Sequence, residues 1–132
     1  MGTSQVSVAR VRVRYAETDQ MNVVYYANYF VWFEVGRTEL LRGLGWSYRE
    51  MEADGYSLPV IEASCQYLRP AHYDDELQIT TTGTLVSPVR LVFEYTIDRG
   101  TDRIVAGRTA HASLDPRGKP VRLPERVRTF FA

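Results

Sequence analysis

The sequence predicts an α+β domain in which a curled five-stranded antiparallel sheet wraps around one long helix. Three observations carry that expectation. A stretch of two-residue alternation, with Val11, Val13 and Tyr15 set against Arg12 and Arg14, runs directly into a stretch of helical period. Four long alternating segments then follow, two of the links between them short. Only one long helix is available to cover the apolar face that five strands create, so the sheet must curl around it.

Each element has its own signals. The first strand is expected from about Val6 to Ala16, with a bulge near Ala9-Arg10, because Val6 and Val8 are even-numbered and Val11, Val13 and Tyr15 odd. Residues 1 to 5 are small and polar and read as a disordered lead. From Tyr29 on, Trp32, Phe33, Gly36, Leu40, Gly43 and Leu44 share one helical face. Its two glycines mark places where the backbone lies close against a flat surface. The helix start is set near Val23 to Tyr26 with Asn22 as its cap, and Asn28 is the competing cap. Gly43 and Gly45 end it near Leu44. A short second helix spans Trp46 to Asp54, with Ser47 as N-cap and Glu50 closing a capping box.

The four strands alternate through Ile61–Tyr67, Leu77–Leu85, Val89–Ile97 and Ile104–Leu114. In the last of these Ile104, Ala106, Ala110, Ala112 and Leu114 are expected to face one way. Turns at Ser87-Pro88 and Arg99–Asp102 make the order a meander, and Pro124 opens a short C-terminal helix or tail. A five-stranded sheet leaves edges that natural proteins cover. Pairing with a second copy covers them, so a homo-oligomer, dimer or tetramer, is expected.

Composition bounds the function. The 132 residues make a single domain, 1–132, and such a chain buries roughly 65–70% of its extended surface. A formal net charge of zero leaves no electrostatic footprint for nucleic acid. The basic residues are fifteen arginines and only Lys119; genome composition accounts for this, and so does affinity for a phosphate-bearing ligand. Cys65 stands alone, which excludes an intrachain disulfide and suits a reducing, cytoplasmic compartment. No apolar run reaches membrane-spanning length and no signal-like core opens the chain, so no stable membrane insertion is expected. His72 and His111 lack a companion cluster at ligand spacing, so neither metal nor cofactor is expected. Asp74, Asp75 and Glu76 read as a solvated turn, and Cys65 as an inert core thiol.

The chemistry-bearing stretch is Tyr15–Arg42, YAETDQMNVVYYANYFVWFEVGRTELLR. Glu17 and Asp19 lie just ahead of a helix N-terminus, beside free backbone N–H groups and the positive end of its dipole. On spacing alone, Asp19 caps or shapes a turn. The whole stretch, however, resembles the hotdog-fold thioesterases of the 4-hydroxybenzoyl-CoA thioesterase and YbgC-like group. Tyr15, Thr18, Asp19, Val23, Val24, Tyr25, Tyr29, Arg37, Thr38, Glu39, Leu41 and Arg42 fall into their first pattern. Tyr67, Pro70, Ala71, Tyr73, Asp74, Asp75 and Leu77 fall into a second.

That resemblance implies a hotdog fold and an acyl-CoA substrate whose acyl group is short, branched or aromatic. It makes Asp19 the catalytic carboxylate, acting as nucleophile or as general base. It gives the backbone amide of Tyr26 the oxyanion. It assigns Tyr15, Glu17, Met21, Asn22 and Tyr25 to the substrate site, and Ser87 and Arg90 to the nucleotide end of CoA. Residue by residue, Tyr15 reads equally as packing, Glu17 as a turn carboxylate and Arg90 as surface charge. Tyr26 stands where relatives carry His, so no imidazole acts there. Met21 and Asn22 replace small or glycine residues, and Asn tolerates the left-handed backbone that Met does not. A hotdog dehydratase would need a histidine in the helix region, which this chain lacks. A non-catalytic acyl-CoA or aromatic-ligand binding protein is the rival from another class.

Overall fold

A computed structural model describes residues 4–131. Five strands, β1 (Gln5–Arg12), β2 (Val60–Tyr67), β3 (Glu76–Ser87), β4 (Arg90–Arg99) and β5 (Asp102–Ala112), form one sheet in the order β1-β3-β4-β5-β2. Every pairing is antiparallel. The long helix α1 (Asn28–Gly43) lies across the sheet, followed by α2 (Tyr48–Ala53); a short α3 (Glu125–Arg128) closes the chain. The hotdog arrangement expected from the sequence is therefore present. The meander holds for β3-β4-β5, whereas β2 crosses to the far edge beyond β5.

The core is the layer between α1 and the inner sheet face. Tyr29, Trp32, Phe33, Gly36, Arg37, Leu40 and Leu41 of α1 are buried, against Leu77 and Ile79 of β3 and Leu91, Phe93, Tyr95 and Ile97 of β4. Phe33 stacks on Tyr95 at a centroid distance of 4.3 Å. Gly36 is where helix and sheet meet most closely: a Cβ there would sit 2.2 Å from Thr81 Oγ1 and 2.9 Å from Ile79 Cγ2. Gly43 has no such role, because nothing lies within 4 Å of the position its Cβ would take.

Several expectations are corrected. β1 ends at Arg12, and its register with β3 is unbroken from Gln5↔Gly83 to Arg12↔Glu76, so it has no bulge. The reason is that Ser7, Ala9 and Val11 face the helix, while Val6 and Val8 point outward with Arg10 and Arg12. Bulges occur instead between Val60 and Glu62, Leu85 and Ser87, and Ile97 and Asp98. The last of these resets β5, whose inner face is Val105, Gly107, Thr109 and His111, opposite Ile97, Tyr95, Phe93 and Leu91. Ala106, Ala110 and Ala112 thus line the outer face. Of the disordered lead expected over residues 1 to 5, residues 1–3 lie outside the described residues, Ser4 bonds Thr84 and Gln5 already belongs to β1.

The helix starts later than expected. Asn28 is its first residue, Asn22 is not its cap, and Ala27 occupies the cap position without a side-chain bond. Asn28 is no cap either: its side-chain amide donates to the Glu17 carbonyl at 2.8 Å and ties the helix to the preceding turn. The C-terminus is as expected, with Gly45 left-handed at φ +87° after Leu44. The Ser47–Glu50 capping box is formed in both directions.

Candidate active site

The segment between β1 and α1 is a succession of tight turns that sets the site. Tyr15–Glu17 makes a single 3-10 turn. Thr18 and Val24 then pair as an isolated antiparallel bridge, and the chain between them reverses through Asp19–Asn22, where the Asn22 amide donates to the Asp19 carbonyl at 3.0 Å. Asn22 takes the left-handed conformation at φ +65°, and Met21 does not. Asn suits that position because its short polar side chain tolerates it. Asp19 Oδ1 accepts from the Met21 N–H at 2.8 Å, so the turn holds the carboxylate by one oxygen.

Asp19 stands in the wall of a pocket of about 350 Å³, together with Met21, Tyr26, Tyr29, Tyr67 and Pro70. The pocket floor is tied down by the Val24 N–H donating to the Ala71 carbonyl at 2.9 Å. Tyr67 Oη donates to the Tyr26 carbonyl at 3.3 Å, and the Tyr29 and Tyr67 rings lie 5.6 Å apart. Burial pushes both hydroxyls up to about 12, with the Cys65 thiol adding to the effect on Tyr67. At neutral pH they are donors and apolar walls, not bases.

Helix N-termini expose amides without acceptors. Here a tight turn takes up the first amides of α1: Asn28, Tyr29 and Phe30 donate to the carbonyls of Tyr25, Tyr26 and Ala27. The free N–H groups are thus displaced to Tyr26 and Ala27, which have no acceptor among the described residues. The later helix start therefore leaves the Tyr26 amide available.

The other expected site residues lie elsewhere. The Glu17 carboxylate folds back on the Arg14 N–H at 2.7 Å and is spent on that turn. Tyr15 is 75% exposed and packs edge-on against Tyr73. Tyr25 packs on Tyr26 at the rim, and the neighbouring Tyr26 hydroxyl holds Tyr25 above the usual phenol range. Ser87 and Arg90 are farther off. Arg90 pairs with Ala112 and Tyr67 with Val105, so roughly 20 Å of β5 separates them. Arg90 also points to the outer face, and Ser87 Oγ accepts from the Val89 N–H at 3.3 Å.

Two features escape a reading of spacing alone. Tyr67 and Pro70 wall the Asp19 pocket, and the only signal for them is the Tyr67–Leu77 segment itself. A polar chain also runs under the sheet. Arg37 Nη1 donates to Tyr95 Oη at 3.4 Å, Tyr95 and Thr109 hydroxyls meet at 2.6 Å, and Thr109 Oγ1 lies 2.9 Å from His111 Nε2. His111 Nδ1 lies 2.9 Å from the Leu58 carbonyl. Arg can only donate and a carbonyl only accept, so every proton points the same way and His111 carries its proton on Nδ1. Burial lowers this histidine to about 4, consistent with the neutral form.

A five-stranded sheet curled round one long helix is the arrangement of the hotdog-fold proteins. Comparison with known proteins gives the particular family. The family model for the thioesterase-like superfamily matches residues 13–131, and the chain belongs to that superfamily. It is 37% identical over 118 residues to the putative acyl-CoA thioesterase YneP of Bacillus subtilis, covering 88% of this chain and 86% of that one. It is 33% identical over 123 residues to the acyl-CoA thioester hydrolase YbgC of Escherichia coli, covering 92% of each. The crystal structure of a hypothetical protein from Aquifex aeolicus superposes with a TM-score of 0.90 at 29% identity, covering 96% of this chain and 99% of that one.

Proposed function

We propose that this protein hydrolyses acyl-CoA thioesters to the free acid and CoA, with Asp19 as the catalytic carboxylate. The observation that carries this reading is Asp19 itself, held by a single hydrogen bond at the wall of an apolar pocket next to the unpartnered Tyr26 amide. A thioester carbonyl placed there develops negative charge on its oxygen as it is attacked. A preorganised N–H aimed at that oxygen stabilises the charge without reorganising. Asp19 either attacks the carbonyl carbon, giving an acyl anhydride that water then cleaves, or takes a proton from the attacking water. In both routes the C–S bond breaks, the electron pair leaves with the CoA sulfur, and water supplies the oxygen of the acid. The names of the relatives support acyl-CoA as the substrate. The compact pocket suits short, branched or aromatic acyl groups, and a CoA ester substrate and a lone free cysteine support a cytoplasmic setting.

The working unit in this reading is a homodimer joined along β2. That strand is the open edge beside the site, and seven of its eight residues are exposed, on both faces. An unpaired edge is a template for a second strand, and an identical strand supplies one antiparallel by two-fold symmetry. Val6 and Val8, 63% and 51% exposed on the outer sheet face, offer a further surface through which dimers would form a tetramer. The deciding measurement is thiol release from a panel of acyl-CoA esters by wild type and Asp19→Asn. Release that depends on Asp19 supports the reading; ligand binding with no release would make the protein an acyl-CoA binder.

A further inference from the structure

A second pocket, of about 480 Å³, opens beside the middle of α1, lined by Glu34, Arg37, Thr38, Tyr48 and Val60. Its polar wall is unusual. Arg37 is only 9% exposed, yet its five N–H donors are mostly uncommitted. Nε donates to Tyr48 Oη at 3.2 Å and Nη1 to Tyr95 Oη at 3.4 Å, while Nη2 has no hydrogen-bond acceptor among the described residues. Among the described residues the one carboxylate in ion-pair range is Glu34, at 3.8 Å, and its side chain is 68% exposed. A buried cation with open donors is costly unless something anionic or accepting meets it. A guanidinium fork matches a carboxylate with two parallel bonds.

The two pockets sit at opposite ends of β2. Tyr29 lies against Tyr67, and Arg37 lines its pocket with Val60, so α1 runs antiparallel to the strand. Along α1, Tyr29 and Arg37 are eight residues or about 12 Å apart, and the strand between the pockets is longer still, too far for one short acyl group to reach both pockets in a single protomer. Antiparallel pairing of two β2 edges changes that. It sets the Tyr67 end of one protomer beside the Val60 end of its partner, and so faces Asp19 toward the partner subunit's Arg37 pocket.

We propose that the partner subunit's Arg37 completes the acyl site, and that the preferred acyl groups carry a carboxylate at the end remote from the thioester. This rests on the thioesterase reading and names its substrate class. Arg37 binds the distal carboxylate, Tyr48 orients the guanidinium, and Glu34 is a competing anion at the mouth.

The test compares adipoyl-CoA with hexanoyl-CoA, equal in length and differing in the terminal carboxylate. Wild type is expected to favour adipoyl-CoA in kcat/KM by about tenfold or more, the scale of one charge-assisted contact. Arg37→Gln should abolish that ratio. Because a buried substitution can also disturb folding, Glu34→Gln on the exposed rim gives an independent readout: removing the competing anion should widen the ratio by about threefold. A purified mixed dimer of one Asp19→Asn and one Arg37→Gln protomer contains one site with both residues intact. It should hydrolyse adipoyl-CoA at about half the wild-type rate, whereas a site built within one protomer would leave only an Arg37→Gln site, at about a twentieth of it. Equal kcat/KM for the two esters, a ratio indifferent to Glu34→Gln, or a mixed dimer no faster than about a twentieth of wild type overturns the inference and leaves the thioesterase reading standing. Thiol release from neither ester, nor from the wider panel, sinks that reading, and this inference with it.

Discussion

At the scale of single residues, Asp19 and His111 show how differently two titratable groups are used. Asp19 is fixed by one backbone N–H and faces a pocket. Asp19→Asn keeps the shape of the turn and removes both nucleophile and base, so kcat should fall by roughly two to four orders of magnitude. The parallel change Glu17→Gln touches a carboxylate already committed to Arg14 and should cost about tenfold or less. Reversed outcomes in steady-state kinetics would move the chemistry to Glu17. His111 is structural. It is fully buried and lowered to about 4, against an ordinary value near 6.5 in the unfolded chain. The unfolded state therefore binds the proton first as pH falls, and stability is lost between about pH 6.5 and 4. The gap corresponds to at most ~3 kcal/mol. Urea midpoints measured across that range should slope in wild type and flatten in His111→Gln. Asp19 is visible in the sequence because its pattern of neighbours resembles a family. The Arg37–Tyr95–Thr109–His111 chain is not, because four positions on three elements meet only after β4 and β5 have paired.

At the scale of elements, the contact between α1 and the sheet is set by Gly36. A methyl group there would press on the Thr81 hydroxyl and on Ile79, and Thr81 Oγ1 is itself buried with no hydrogen-bond partner among the described residues. Gly36→Ala should gain about 1 kcal/mol in helix propensity and lose about 1–3 kcal/mol to overpacking, a net destabilisation. Adding Thr81→Ala removes the crowding hydroxyl and should restore part of the loss in thermal denaturation. If Gly36→Ala alone stabilised the protein, the close approach would be absent. The sequence revealed this glycine by its place on the apolar face, yet gave Gly43 the same reading, because helical phase alone does not show where a curling sheet diverges from the helix. The phases of β3 and β4 are as expected, and β1 and β5 depart for the same kind of reason. The bulge between Ile97 and Asp98 moves β5 by one residue and turns its alanines outward. β1 has no bulge because Val6 and Val8 are apolar residues left on an outer face. The helix starts later than its sequence signals because Asn22 serves the left-handed turn at Asp19 and not the helix, and the Tyr25–Ala27 turn does the capping.

At the scale of the molecule, β2 decides whether one chain suffices. Every other strand but β1 is paired on both sides, and β1 differs from β2 in what covers it. Its inward residues are half-buried under α1, whereas β2 keeps seven exposed residues, with Val60 at 45%, Ile61 at 42% and Tyr67 at 47%. Such an edge next to the Asp19 pocket predicts a dimer whose formation and activity rise and fall together. Ser64 lies near the middle of the strand, so a two-fold axis through the edge brings the two copies close to each other. Ser64→Lys sets like charges face to face across that axis, which destabilises a strand pair, while Ser64 is exposed in the free protomer and the fold should survive. Light scattering should then give the mass of one chain where wild type gives two or four. Circular dichroism should be unchanged, and thiol release should drop in proportion to the monomer formed. Restoring activity by raising protein concentration would follow from mass action. A Ser64→Lys monomer that kept full activity would show that each chain holds a whole site, and the β2 edge would then have to meet something other than its own copy.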